Sequence, residues 1–143
     1  MPPNQEVYRY AFPESPPHIS YGIAFHESCV KHVSETFNAK RVYIIASGSL
    51  SRQTDNIKKL ETALDGKVVG IRHGMTPHTL CSEVLEIIHD AREARADLIS
   101  TCGAGSLTDA AKIIALVRTF SVGREIGDTT NSIIRHWQTM SQQ

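Results

Sequence analysis

The chain has little of what would mark it for a membrane, a polyanion or an oxidising compartment. No apolar run approaches the roughly 20 residues that span a bilayer. The opening Met1-Pro2-Pro3-Asn4-Gln5-Glu6 lacks the basic region and apolar core of a secretory signal. Net charge is absent as well, because 15 Lys and Arg balance 15 Asp and Glu. That balance offers no electrostatic footprint for nucleic acid or an anionic membrane surface. Cysteines number 3, Cys29, Cys81 and Cys102, and they are widely spaced. An odd, scattered set excludes a disulfide framework and a paired-cysteine zinc site, and it fits reduced thiols in the cytoplasm. There are no repeats, and low complexity is confined to the proline-bearing start.

What is present is an alternation of strand and helix patterns in 143 residues, a length suited to one domain with a single core. Residues 1–18 carry Pro2, Pro3, Pro13, Pro16 and Pro17 and are expected to run as an extended arm. Ile19, Tyr21 and Ile23 alternate, which predicts an edge strand over 19–25. Helices are expected over 26–38, 51–64, 79–95 and 106–117, each with apolar residues on one stripe, such as Ile57, Leu60 and Leu64. Between them lie strands at 41–46, 66–71 and 97–102. Residues 118–143 change character, with turns near Gly123 and Gly127 and a last helix over 130–140 carrying Ile133, Ile134 and Trp137. The expected fold class is α/β: a Rossmann-like parallel sheet with flanking helices, in a single domain over 19–117. Ligands of such sheets sit beyond the carboxyl ends of the strands, where segments 47–50, 73–78 and 102–106 converge. An edge strand with unpaired backbone groups also makes a homodimer an expectation.

The segment Gly103-Ala104-Gly105-Ser106-Leu107-Thr108-Asp109-Ala110-Ala111-Lys112 carries the most information. It joins an expected strand to an expected helix. Small residues there let backbone approach a phosphate, and the free N–H groups of the helix start point at it. The spacing is G-x-G-S-x-x-D-x-x-K, which is neither the dinucleotide fingerprint nor a Walker loop. Gly103, Ala104, Gly105 and Ser106 are the candidate pyrophosphate cradle, with Ser47, Gly48 and Ser49 at the exit of the preceding strand. Asp109 is a candidate catalytic or cofactor-binding group, or it stabilises the positive end of its helix. Lys112 approaches a ligand or pairs with Asp109. His73 and His78 are candidate acid–base groups near neutral pH, or solvated loop residues. Cys102 is a reactive thiol if the helix terminus lowers its pKa, or else a small core residue.

This motif resembles the GGGSxxDxAK signature of the iron-containing alcohol dehydrogenase superfamily, including its maleylacetate reductase branch. The likeness extends through Arg41-Val42-Tyr43-Ile44-Ile45-Ala46-Ser47-Gly48-Ser49-Leu50 and Gly74-Met75-Thr76-Pro77-His78. It covers roughly residues 7 to 117 and implies a dehydroquinate-synthase-like N-terminal half that binds NAD or NADP. Many members that prefer NAD carry Asp where Ser47 stands. Serine with Arg52 nearby implies that NADP is tolerated. The resemblance places the family's metal on a C-terminal helical domain through an Asp and several His. His136 is the one histidine after the motif, so no metal site is expected and the chain reads as truncated relative to the family. Three functions stay open. One is the NAD(P)-binding domain of an oxidoreductase acting on a small carbonyl or alcohol metabolite. Another is a repurposed redox-neutral enzyme (isomerase, dehydratase or cyclase) using the old crevice. The third is a non-catalytic interaction fragment with a partner over the old interdomain face.

Overall fold

The run Val42-Tyr43-Ile44-Ile45-Ala46 offers water only one hydroxyl, so both of its faces favour burial. In the computed structural model, which describes residues 5–8, 18–76, 81–103 and 105–120, this run is the central strand and is wholly buried. In chain order the strands are β1 (Gln5–Tyr8), β2 (His18–Tyr21), β3 (Val42–Ala46), β4 (Val68–His73) and β5 (Leu98–Cys102). The helices are α1 (Phe25–Lys31), α2 (Gly48–Gln53), α3 (Asn56–Leu64), α4 (Cys81–Glu93) and α5 (Gly105–Phe120). Strands β4, β3 and β5 form a parallel sheet in that order.

Side chains alternate along β3 with period two. Val42, Ile44 and Ala46 pack with Val33, Ile57, Leu60 and Leu64 on one face. Tyr43 and Ile45 pack with Val84, Ile87, Ala110, Ile114 and Val117 on the other. Helices therefore cover both faces of the sheet, α1 with α3 and α4 with α5. The result is the three-layer, Rossmann-like α/β arrangement that the sequence pattern implies. The ladder between β3 and β4 shifts between Val42 and Tyr43, so that Tyr43 stands opposite Gly70. A β-carbon at Gly70 would lie 2.6 Å from the Tyr43 ring, so the absent side chain makes room for the aromatic one.

Three expectations change. The segment read as an extended arm contains β1, which pairs antiparallel with β2 in a separate two-stranded ribbon. Strand β2 is thus no edge of the main sheet. The ribbon is held to the helical layer by Ser20 Oγ and His32 Nε2, 2.6 Å apart. The helix expected over 26–38 ends as α1 at Lys31 and continues as a π-helical turn, His32–Thr36, whose Phe37 N–H donates to the His32 carbonyl. The helix expected over 51–64 is two helices. Thr54 takes an extended backbone, donates its hydroxyl to the Leu50 carbonyl at 2.8 Å and accepts the Asn56 N–H at 3.3 Å. One threonine thereby ends α2 and starts α3, the competition with helical bonding that Thr side chains offer. The expected helix over 130–140, with Trp137, lies outside the described residues.

The two ends of the sheet differ in how the chain turns. Where helices return to strands, ordinary residues adopt the left-handed conformation: Asn38 (φ 48°), Asp65 (φ 42°) and Arg95 (φ 50°). At the opposite, carboxyl end the left-handed positions are Gly74 and Gly103. The first end is fastened by Asp97, whose carboxylate accepts the Lys40 and Arg41 N–H groups, each at 2.9 Å. The substitution Asp97→Ala is expected to lower stability by about 1 kcal/mol, the usual worth of such bonds where water can replace them. Asp97→Asn should recover part of the loss. Urea midpoints of the three proteins decide it, and equal midpoints would show that this fastening is dispensable.

Candidate functional site

The carboxyl ends of β3, β4 and β5 are joined by hydrogen bonds that continue past the strands. Ser47 N–H donates to the Cys102 carbonyl at 2.9 Å, and Gly74 N–H donates to the Ala46 carbonyl at 2.8 Å. The turns after all three strands are therefore drawn into one crevice. Ser47 serves as the N-cap of α2, accepting the Leu50 N–H at 3.4 Å, and its hydroxyl meets Ser49 Oγ at 2.8 Å. Ser47 thus caps α2 and also sits at the crevice.

The glycines of the motif have separate tasks. Gly103 has φ 142°, and a β-carbon there would stand 2.5 Å from Ser47 Cβ and 3.0 Å from Leu107 Cδ1. It lets the turn after β5 lie directly on the turn after β3. Gly105 opens α5 and is exposed, and among the described residues, apart from its chain neighbours and the helix's own backbone, nothing lies within 4 Å of where a β-carbon would be. No described side chain thus covers the start of this 16-residue helix, the end of the helix dipole that attracts anions. Ser106 follows with its side chain exposed. A pyrophosphate would fit this set, with Gly105 leaving room and the first N–H groups of α5 able to donate to it. Ala104 lies outside the described residues.

Asp109 and Lys112 pair with each other, Lys112 Nζ lying 3.3 Å from the Asp109 carboxylate on the exposed side of α5. Gly48 is approached closely by Gly74, whose β-carbon would be 3.4 Å from Gly48 Cα. His73 ends β4 and is exposed, with Nδ1 and Ser51 Oγ 3.0 Å apart. His78 lies outside the described residues. The Cys102 thiol packs against the buried cluster of α1, α3 and β3, and burial pushes its pKa up. Burial does the same to Cys29, partly offset by a hydrogen bond with Ser100. Cys102 thus lacks the lowered pKa that a reactive thiol requires. Iodoacetamide at pH 7–8 is therefore expected to alkylate Cys102 more slowly than a free cysteine, with the rate rising only above the ordinary thiol range. A reaction as fast as that of an activated thiolate, followed by peptide mass, would contradict this.

A further residue at the site carried no strong signal in the sequence. Glu83, in the first turn of α4, accepts both the N–H and the hydroxyl of Thr76 at 2.9 Å each. Arg72 lies 3.1 Å from Glu86 and 3.9 Å from Glu83. Together they tie Thr76 and the end of β4 to α4. A glutamate in the first turn of a helix was the available cue. Among the described residues no three His, Cys, Asp or Glu side chains come together to hold a metal ion, and no helix is long and apolar enough to cross a membrane.

A parallel sheet covered on both faces, with a glycine turn opening onto a helix start at its carboxyl end, defines the Rossmann-like α/β class. The chain belongs to the iron-containing alcohol dehydrogenase family, whose model matches residues 20–135. It is 41% identical over 104 residues to Dehydrogenase FUM7 of Gibberella moniliformis, covering 72% of this chain and 24% of that protein. It is also 41% identical over 81 residues to Dehydrogenase ALT3 of Alternaria alternata, covering 56% and 21% respectively. A crystal structure assigned as an alcohol dehydrogenase from Ralstonia eutropha superposes with a TM-score of 0.56 at 27% identity, over 65% of this chain and 25% of that one. The chain thus spans about a quarter of the length of the proteins it matches.

Proposed function

We propose that this chain is the NAD(P)-binding part of an oxidoreductase that acts on a small alcohol or carbonyl metabolite. The observation that carries the reading is the division of labour in the glycine turn. Gly103 is held against Ser47 by contact, while no described side chain covers Gly105 at the start of α5. A turn that served packing alone would need the first glycine and not the second. When bound, a nicotinamide dinucleotide supplies or accepts hydride. The residues here bind and orient it: backbone N–H groups of α5 hold the phosphates, and Ser47 shapes the neighbouring wall without the carboxylate that would repel a 2′-phosphate. Nothing in this role requires a metal. The 3 free cysteines suit a reducing compartment such as the cytoplasm. A second copy or a partner chain over the face beside the crevice belongs to the same proposal, and sedimentation measures it.

Titration of the protein with NADH and NADPH, followed by nicotinamide fluorescence and repeated with added iron or zinc, tests the reading. Binding that metal does not alter is the expected result. Absence of binding at millimolar nucleotide would end it.

A further inference from the structure

The segment that leaves β4 is anchored on both sides of the sheet. His73 reaches α2 through the Ser51 hydroxyl, 3.0 Å from its Nδ1. Gly74 N–H donates to the Ala46 carbonyl at the end of β3, at 2.8 Å. Met75 packs against the cluster that holds Val84 of α4 and Leu107 of α5. Leu107 also stands over the glycine turn, its Cδ1 3.0 Å from where a β-carbon on Gly103 would be. Glu83 of α4 then takes Thr76 by both its N–H and its hydroxyl, at 2.9 Å each. Residues 73–76 therefore cross the carboxyl end of the sheet from one helical layer to the other.

We propose that Glu83 is a positioning residue of the crevice: by holding Thr76 it keeps Met75 in the cluster with Leu107, and so sets the distance between the segment leaving β4 and the glycine turn. A glutamate in the first turn of a helix usually serves its own helix start. This one reaches seven residues back, out of the helix and onto the crevice segment. Packing alone would hold that segment loosely, because methionine has an unbranched, flexible side chain that fits many shapes. A carboxylate that accepts two bonds from one residue adds direction, and bonds to an ionised acceptor are the stronger kind. Arg72 of β4 prepares the acceptor. Glu83 and Glu86 carry like charges three residues apart on α4, a spacing at which they repel. Arg72 lies 3.9 Å from the first and 3.1 Å from the second, which offsets the repulsion and leaves Glu83 directed at Thr76. For its ligand the inference rests on the dinucleotide reading above, and for its geometry it does not.

The test uses the whole chain and the variants Glu83→Ala, Glu83→Gln, Thr76→Val and Thr76→Ser, with circular dichroism confirming that each folds. NADH affinity is read by fluorescence titration, and the Thr76 amide and Leu107 methyl resonances by NMR. Glu83→Ala is expected to weaken NADH about 10-fold, the scale of one hydrogen bond to a charged group. It should also move both sets of resonances. Glu83→Gln keeps an acceptor for the Thr76 N–H and should recover most of the affinity. Thr76→Val should weaken NADH where Thr76→Ser does not, and it carries the test should Glu83→Ala fail to fold. Adding Thr76→Val to Glu83→Ala should cost nothing further, since the two residues act through one contact. A glutamate that only stabilised the fold would lower the urea midpoint of Glu83→Ala and leave the NADH affinity of the folded protein unchanged. That result overturns the proposal and leaves the dinucleotide reading intact, as do fully additive losses in the double variant. A parent protein that binds neither NADH nor NADPH ends the dinucleotide reading instead. The Leu107 methyl resonances then decide: movement in Glu83→Ala keeps the positioning role, and stationary resonances overturn it.

Discussion

Replacing Gly103 with alanine is expected to lower folding stability by about 2–4 kcal/mol, the combined scale of a strained backbone and an overpacked contact. Its φ of 142° is a conformation that residues with a β-carbon rarely adopt, and the new carbon would stand 2.5 Å from Ser47 Cβ. That neighbour is not the free end of a flexible side chain. It belongs to a residue fixed by its own N–H bond to the Cys102 carbonyl and by its role as the cap of α2. Relief must come from the backbone, by parting the turns after β3 and β5. Urea unfolding should show a lower midpoint with an unchanged slope, the sign of a native-state effect. Nucleotide binding should weaken along with stability. A Gly103→Ala protein as stable as the parent would show that the close approach of the two turns is not a feature of the molecule.

Gly105→Asp separates binding from folding. Among the described residues, no atom outside its chain neighbours and the helix's own backbone lies within 4 Å of the position its β-carbon would take. A carboxylate in the first turn of α5 also complements the helix dipole, worth about 0.3–1 kcal/mol in its favour. Stability should hold or rise slightly. The same carboxylate would occupy the open space proposed for the pyrophosphate, and like charges brought together at a binding site cost several kcal/mol. NADH affinity is therefore expected to fall about 100-fold or more, with Gly105→Ala intermediate. Full affinity in a folded Gly105→Asp protein would place the phosphates elsewhere. The pair of variants is informative because they act in opposite ways: Gly103→Ala damages the fold and the site together, and Gly105→Asp damages the site alone.

The parallel sheet was legible because its central strand β3 is an apolar run buried on both faces and its helices carry apolar stripes at helical spacing. Boundaries drifted by a few residues, as at β4 and α5, where no sharp cap stands in the sequence. The break at Thr54 was hidden because the stripe Ile57, Leu60, Leu64 continues a pattern that α2 could share, and a threonine hydroxyl can serve two helices only once their angle is known. The β1–β2 ribbon was hidden because its pairing joins segments separated by the proline-bearing stretch. At the site, the motif singled out the turn after β5 but not the different packing of its glycines, since only three-dimensional contact distinguishes Gly103 from Gly105. Pairing of Asp109 with Lys112 followed from their spacing of three. The hydrogen bond between His73 and Ser51 joins residues with no local relation, and periodicity carries no trace of it.

The rungs that Ser47 and Gly74 add beyond the strands also bear on motion. Their amides are tied to the Cys102 and Ala46 carbonyls, so the lips of the crevice share the hydrogen-bond ladder of the most buried strand. Loops at binding sites commonly open by small local excursions of low free energy. Here the first residue of each lip can let go only by unzipping the end of β3. Exchange of these two amides with solvent should follow the cooperative unit of the sheet, and ligand entry must take place with this part of the crevice already formed.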